Sequence, residues 1–334
     1  MPDKKRLLSI DGGGLRGILP VCMLESLEAQ TGKAAKDVFS FAAGTSTGSV
    51  IVSGLAAGIP AKDMLAFYLQ RAGDVFPRRF GDPVRKWLKR IVQGRMYEAS
   101  GLRRVLADQA GPAAAWRLND APIDLLITAK RVDDGMPWYF VKDNPANAGR
   151  TGKLPLLDCI TASCVAPTYF DPWLVPEPAP PADHRPVGRL VDGGVGVAGN
   201  PVYQACVEAF RYSEGYTPED TIVVSLGTGH HTSLHNPTWI LPWITWTLGE
   251  LLDSAGEQQT DLVKRHFTQT PFYRLQPVMP RAIGQDGVKD VPVLYEIGRK
   301  FAASIDWAPI LAGEDSEFKI TDENTLTRQY AKAV

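Results

Sequence analysis

Ser46 stands at the centre of Gly44-Thr45-Ser46-Thr47-Gly48, a G-x-S-x-G pattern. In such a turn a strand gives way to a helix almost at once. The backbone is crowded there, and flanking glycines let the serine sit at the apex. The helix that follows favours developing negative charge. A hydroxyl attacking an acyl carbon needs two further things, donors for the oxygen that becomes anionic and a base for the proton. Gly12, Gly13 and Gly14 of Asp11-Gly12-Gly13-Gly14-Leu15-Arg16-Gly17 can turn successive N–H groups to one point, as an anion-binding nest does, and Arg16 adds positive potential nearby. Each such donor lowers the barrier by roughly 3–4 kcal/mol. Asp192, followed by Gly193-Gly194 after a short apolar run, offers the base. A partly desolvated carboxylate has a raised pKa and can take a hydroxyl proton.

Two other readings compete on the same residues. The histidines are His184, His230, His231, His235 and His266, and the chain order Ser46, Asp192, His230 suits a Ser-Asp-His esterase or acyltransferase. The spacing Gly12-x-Gly14-x-x-Gly17 also matches a dinucleotide-binding loop, which would make the chain a Rossmann-like module without hydrolysis. That motif expects an acidic residue ending the second strand; Glu28 falls within a helix and Asp37 precedes the strand. Asp11 lacks a second carboxylate at ligand spacing, so it reads as a turn residue, with no metal.

The elements that must position these residues follow from periodicity and punctuation. Arg6–Ile10 and Phe39–Ala43 read as short buried strands feeding the glycine loop and Ser46. Helices are expected over Ile18–Gln30, with Gly32 past its end, then Ser49–Ala57 and Ala61–Arg71. Further strands are expected over Ile123–Ala129, Trp138–Val141, Gly188–Val191 and Thr221–Leu226, with a helix at Asn200–Tyr212 between the last two. Strands alternating with helices predict an α/β fold, a three-layer sandwich around a mostly parallel sheet. The chain reads as a single domain over residues 1–334.

The three glycine motifs, in this order, resemble the patatin-like phospholipase family: DGGGLRG as anion loop, GTSTG as nucleophile turn and DGG as aspartate. Asn200-Pro201 and Ser225-Leu226-Gly227-Thr228-Gly229 agree with it, although Gly199 stands where many relatives show a doubled asparagine. The resemblance covers residues 7–229, leaving 230–334 as a C-terminal helical or lid region of the same domain. It implies Ser46 as nucleophile, Asp192 as base, and Gly12, Gly13, Gly14 and Arg16 as the oxyanion site. The implied reaction is hydrolysis of a fatty-acyl ester of phospholipid or lysophospholipid, without metal or cofactor. Some bacterial members of the family are antiphage effectors switched on by a cyclic nucleotide, which implies such a nucleotide as an activating partner.

The 334 residues, 44% hydrophobic and 22% charged, suffice for a large core. A net charge of −1 gives no whole-chain field for nucleic acid. Four scattered cysteines without a CxxC suit free thiols in a reducing cytoplasm. No apolar run approaches the roughly 20 residues of a membrane span. The expectation is a cytoplasmic protein that meets the inner membrane surface peripherally. Arg78–Arg95 carries seven basic residues against Asp82, with Val84, Trp87, Leu88, Ile91 and Val92 at helical spacing. Trp239, Trp243 and Trp246 share a helical face within Trp239–Leu252, a tryptophan-rich stretch suited to a membrane boundary. Either segment can lie on lipid, pack into the core or act as a lid. The proline-rich stretch Val175–Gly188 reads as a surface loop.

Overall fold

The computed structural model describes residues 4–75, 98–145, 149–167, 169–176, 187–196, 199–231 and 255–314. Strand β1 (Lys5–Ile10) lies at its centre, because Leu7, Leu8 and Ile10 must lose water on both faces at once. Chain order continues with α1 (Ile18–Thr31), β2 (Phe41–Thr45), α2 (Thr47–Ala56), α3 (Ala61–Val75) and α4 (Ala99–Ala110). Then come β3 (Asp124–Arg131), β4 (Pro137–Val141), α5 (Leu156–Cys164), β5 (Trp173–Leu174), β6 (Arg189–Asp192) and α6 (Val202–Tyr212). The described chain closes with β7 (Thr221–Leu226), α7 over 255–266, β8 (Phe272–Leu275), α8 (Val291–Ala303) and α9 (Trp307–Ala312).

The sheet runs β5-β6-β3-β2-β1-β7-β8, with β4 also paired to β3. It is parallel from β3 through β8 and antiparallel at β4, β5 and β6. Side-chain alternation along the strands builds two cores. Leu8, Ile10, Ala42, Val224 and Leu226 join a large cluster with α1, α2, α4, α5 and α8. Leu7, Phe41, Ala43, Leu126 and Val223 face Val202, Cys206 and Ala209 of α6 and Val263 of α7 on the other side. The molecule is therefore the three-layer α/β sandwich that the alternation predicts.

Most expected elements are present, with shifted ends that have local causes. Strand β2 starts at Phe41 rather than Phe39, because the Phe39 N–H closes the one-turn helix Ala35–Val38 on the Ala35 carbonyl. Helix α6 starts at Val202 rather than Asn200, whose Oδ1 instead accepts the Val202 N–H at 3.1 Å. Strand β6 starts after Gly188, whose φ of 77° lies outside any strand. Helices α4, α5 and α8 and strand β8 were not expected individually, and β8 extends the sheet beyond residue 229. Arg78–Arg95, Trp239–Leu252 and residues 177–186 of the proline-rich stretch lie outside the described residues. Among the described residues no helix is long and apolar enough to cross a membrane.

Candidate active site

Strand register gathers the glycine motifs at one edge of the sheet. Ile10 pairs with Gly44 on one side and Leu226 on the other, so the loops after β1, β2 and β7 emerge together. Thr45 pairs with Thr128, and the next residue of β3, Ala129, pairs with Asp192 at the end of β6. Ser46 and Asp192 thus reach the same level on strands that flank β3. Loops at the carboxyl ends of parallel strands are where an open α/β sheet holds its ligands.

Ser46 has φ 53° and ψ −123°, the only positive φ outside glycine among the described residues. Such a backbone costs on the order of 1–3 kcal/mol and persists only when its surroundings hold it. Three contacts do so. The Ser46 N–H donates to the Ser163 hydroxyl at 2.9 Å. The Ser46 carbonyl accepts the Ser49 hydroxyl at 2.6 Å and the Ser49 N–H at 2.9 Å. Gly48 lies against β1 so closely that a Cβ there would overlap the Ile10 carbonyl, and a Cβ at Gly44 would overlap Gly48. Larger residues at either position would push α2 off β1.

Asp192 is buried, and its carboxyl shares a hydrogen bond with the Ser46 hydroxyl and accepts the Gly194 N–H at 2.8 Å. Burial raises its pKa to about 6, against the opposing pull of those two bonds. A carboxyl near 6 is ionised at neutral pH yet basic enough to accept a hydroxyl proton. Its own N–H donates to the Val165 carbonyl at 3.1 Å. The end of α5 therefore holds both partners, Ser46 through Ser163 and Asp192 through Val165. Cys164, between them, is pushed up by burial and stays a thiol.

The glycine loop is divided in its bonding. The Gly12 N–H donates to the Gly199 carbonyl at 2.9 Å, and the Gly12 carbonyl accepts the Thr228 hydroxyl at 2.7 Å. The amides of Gly13 and Gly14 have no acceptor among the described residues. Gly12, Gly13 and Arg16 line one cavity together with Ser46 and Asp192, while Gly14, at φ 57°, borders a second one. Asp11 is not a simple turn residue. It is buried and accepts two hydrogen bonds from Arg274 of β8, at 2.9 and 2.6 Å, and Arg274 also reaches the Ser225 hydroxyl at 2.9 Å.

Among the described residues, Asp192 meets a hydroxyl and a backbone N–H, with no imidazole bonded to it. His230 lines the same cavity, and its backbone bridges to Pro277 and Met279. His266 shares a hydrogen bond with Tyr203, and His184 and His235 lie outside the described residues. No three His, Cys, Asp or Glu side chains among the described residues are grouped to hold a metal ion.

Sequence reasoning missed Ser163 and Arg274, and it named Thr228 within Ser225–Gly229 without its bond to the Gly12 carbonyl. Of the two missed residues Ser163 left a signal, a run of small residues, Thr161-Ala162-Ser163-Cys164, ahead of Pro167. A family model described as patatin-like phospholipase matches residues 8–206. The chain is 29% identical over 243 residues to a cGAMP-activated phospholipase of Vibrio cholerae serotype O1, covering 68% of this chain and 65% of that protein. It is 29% identical over 233 residues to a protein of the same name from Escherichia coli (strain TW11681), covering 67% and 62%. The match thus spans less than two thirds of the length of these relatives. Among solved structures, human GIVD cytosolic phospholipase A2 aligns with a TM-score of 0.49 at 12% identity, over 93% of this chain and 60% of that one.

Proposed function

The chain belongs to the patatin-like phospholipase family, and from that premise we propose that it hydrolyses fatty-acyl esters of phospholipid or lysophospholipid through a Ser46–Asp192 dyad. The Ser46 oxygen attacks the ester carbonyl carbon while Asp192 takes its proton. The carbonyl oxygen becomes anionic and is met by the N–H groups of Gly13 and Gly14, with the Arg16 charge close by. The bond to the leaving alcohol then breaks, and Asp192 returns the proton to that oxygen. Water attacks the acyl-serine next, its proton passing to Asp192 and on to Ser46 as the fatty acid departs. Gly12 shapes the loop through its carbonyl and through its bond to Gly199.

One observation carries the reading: a buried carboxyl, raised to about 6, is hydrogen-bonded to a serine hydroxyl held in a strained strand-to-helix turn. The test is lipid mass spectrometry on phospholipid vesicles. Wild type releases fatty acid and the matching deacylated lipid, and Ser46→Ala releases neither. Equal release by both would overturn the assignment.

A Ser-Asp-His mechanism draws support from His230 in the same cavity; it requires His230→Ala to abolish turnover, whereas the dyad keeps it. The names of the two bacterial relatives support activation by a cyclic nucleotide, cGAMP in their case. On that reading the purified chain is nearly silent on lipid until the nucleotide is added, and high basal turnover counts against it.

A further inference from the structure

Thr228 stands just beyond the end of β7, outside the three glycine motifs, and it is buried. Its place is fixed from both sides. The Gly227 N–H donates to the Leu275 carbonyl at 2.9 Å, and the Gly229 N–H donates to Oε1 of Gln276 at 3.0 Å. So placed, Thr228 meets the glycine loop directly. Its hydroxyl donates to the Gly12 carbonyl at 2.7 Å, and a Cβ added at Gly13 would overlap that same hydroxyl. The neighbouring bonds of the loop run from backbone to backbone. The Gly12 N–H reaches the Gly199 carbonyl at 2.9 Å, the Leu15 N–H reaches the Gln285 carbonyl at 2.8 Å, and the Arg16 N–H reaches the Gly13 carbonyl at 3.1 Å. Of these groups, the Gly12 carbonyl alone is held by a side chain.

In a planar trans peptide, the carbonyl of one residue and the N–H of the next point in opposite directions. None of the described peptides is cis. With the Gly12 oxygen turned to Thr228, the Gly13 N–H is therefore turned to the other side of the loop. That amide has no acceptor among the described residues, and Gly13 lines the cavity that holds Ser46. Gly12 lies against the serine, where an added Cβ would come within 3.3 Å of the Ser46 Cβ. Rotating this peptide as a unit changes only ψ of Gly12 and φ of Gly13, and glycine tolerates such a rotation in either sense. A rotated peptide would withdraw the N–H and turn a carbonyl oxygen toward the developing anion. We propose that Thr228 is a positioning residue for the oxyanion site: its hydroxyl, by holding the Gly12 carbonyl, aims the Gly13 N–H at the reacting ester. This rests on the reading of Ser46 as nucleophile and of Gly13 as an oxyanion donor. Thr228 acts through the peptide and not on the substrate.

The test compares Thr228→Val, which keeps the shape of the side chain without its hydroxyl, with Thr228→Ser, which keeps the hydroxyl. On p-nitrophenyl butyrate, Thr228→Val should lower kcat by about tenfold or more, towards the roughly 10²–10³ of a lost donor, with KM within about twofold of wild type. Thr228→Ser should return kcat to within about threefold of wild type. An alkyl trifluoromethyl ketone forms an adduct on Ser46 that carries the oxyanion, and its affinity for Thr228→Val should fall in step with kcat. The ketone needs no turnover, so its affinity is read even on a chain that is silent on esters. Should Thr228→Val fail to fold, Thr228→Ala, which adds no bulk, carries the same expectation. Wild-type kcat and ketone affinity without the hydroxyl overturn the assignment, as does an equal loss in Thr228→Ser or a loss confined to KM. Turnover or ketone binding undiminished in Ser46→Ala removes the nucleophile reading itself, and the proposal with it.

Discussion

Asp11 and Asp192 line the same cavity, each at the end of a strand and each removed from bulk water. Burial pushes both carboxyls up. At Asp11 a guanidinium opposes that push, with two short bonds from Arg274 and a further tie to Ser225. At Asp192 the partners among the described residues are a hydroxyl and one backbone N–H. The first arrangement fixes a loop, because neither charge can leave the other without a large desolvation penalty. The second leaves a proton acceptor in place beside a hydroxyl. Asp158 repeats the first pattern elsewhere, held by the Nε and one terminal nitrogen of Arg103, each at 3.0 Å, and by the Trp173 indole. Among the described residues the buried carboxyls of Asp11 and Asp158 each have an arginine partner, and Asp192, the proposed base, has none.

That contrast can be broken at either end. The largest effect is expected at Asp192. Asp192→Asn removes the proton acceptor and should lower kcat/KM by on the order of 10²–10⁴, the usual scale of general-base catalysis. The same variant should be more stable than wild type at pH 8. The folded-state pKa of about 6 lies above the ordinary 3.8, so the fold is favoured with Asp192 protonated and loses that advantage as pH rises through 6. Two pKa units correspond to about 3 kcal/mol, which a denaturation curve of Asp192→Asn would recover. In wild type the acid limb of kcat/KM should fall with a midpoint near 6. An Asp192→Asn chain that is both active and destabilised would refute the assignment.

The next effect is at Arg274. Arg274→Met leaves Asp11 buried and unpaired, turning it into a carboxyl like Asp192 without a hydroxyl to serve. A loss of about 3–5 kcal/mol is expected by chemical denaturation, and the double variant Asp11→Asn/Arg274→Met should regain most of it. If the double variant is no better than the single, the ion pair is not what fixes the loop.

The smallest effect is at Ser163. Ser163→Ala removes the acceptor of the Ser46 N–H and should cost about 1–3 kcal/mol, the scale of one buried donor left unmade. Labelling of Ser46 by a fluorophosphonate should slow as the turn loosens, while Asp192 keeps its pH midpoint. A Ser163→Ala chain with wild-type stability and labelling would show that the strained turn is held without it.

Much of this was legible in the linear chain because it is local. Steric crowding around one residue requires glycine at 44 and 48, a run of bare amides requires Gly12-Gly13-Gly14, and alternating apolar strands and helices require a covered parallel sheet. The strand Thr221–Leu226 is read to the residue, since its six positions are buried on both faces and its ends are marked by polar residues and Gly227. Ends shifted by short-range hydrogen bonds were not legible, as at Phe39, whose N–H closes a one-turn helix, and Asn200, whose side chain accepts the Val202 N–H.

What only the folded chain decided is which distant groups meet. The sequence can nominate Asp192, but its level beside Ser46 comes from the register of β6 on β3 and β3 on β2. Nothing local marks Arg274 as the partner of Asp11, Gly199 as the acceptor of the Gly12 N–H, or α3 and α4 as walls of a cavity at Ser46. Short-range sterics act on neighbours in the chain, so their demands are written in adjacent residues. Desolvation and pairing act between groups that are neighbours only in space, and those are chosen when the sheet closes its order.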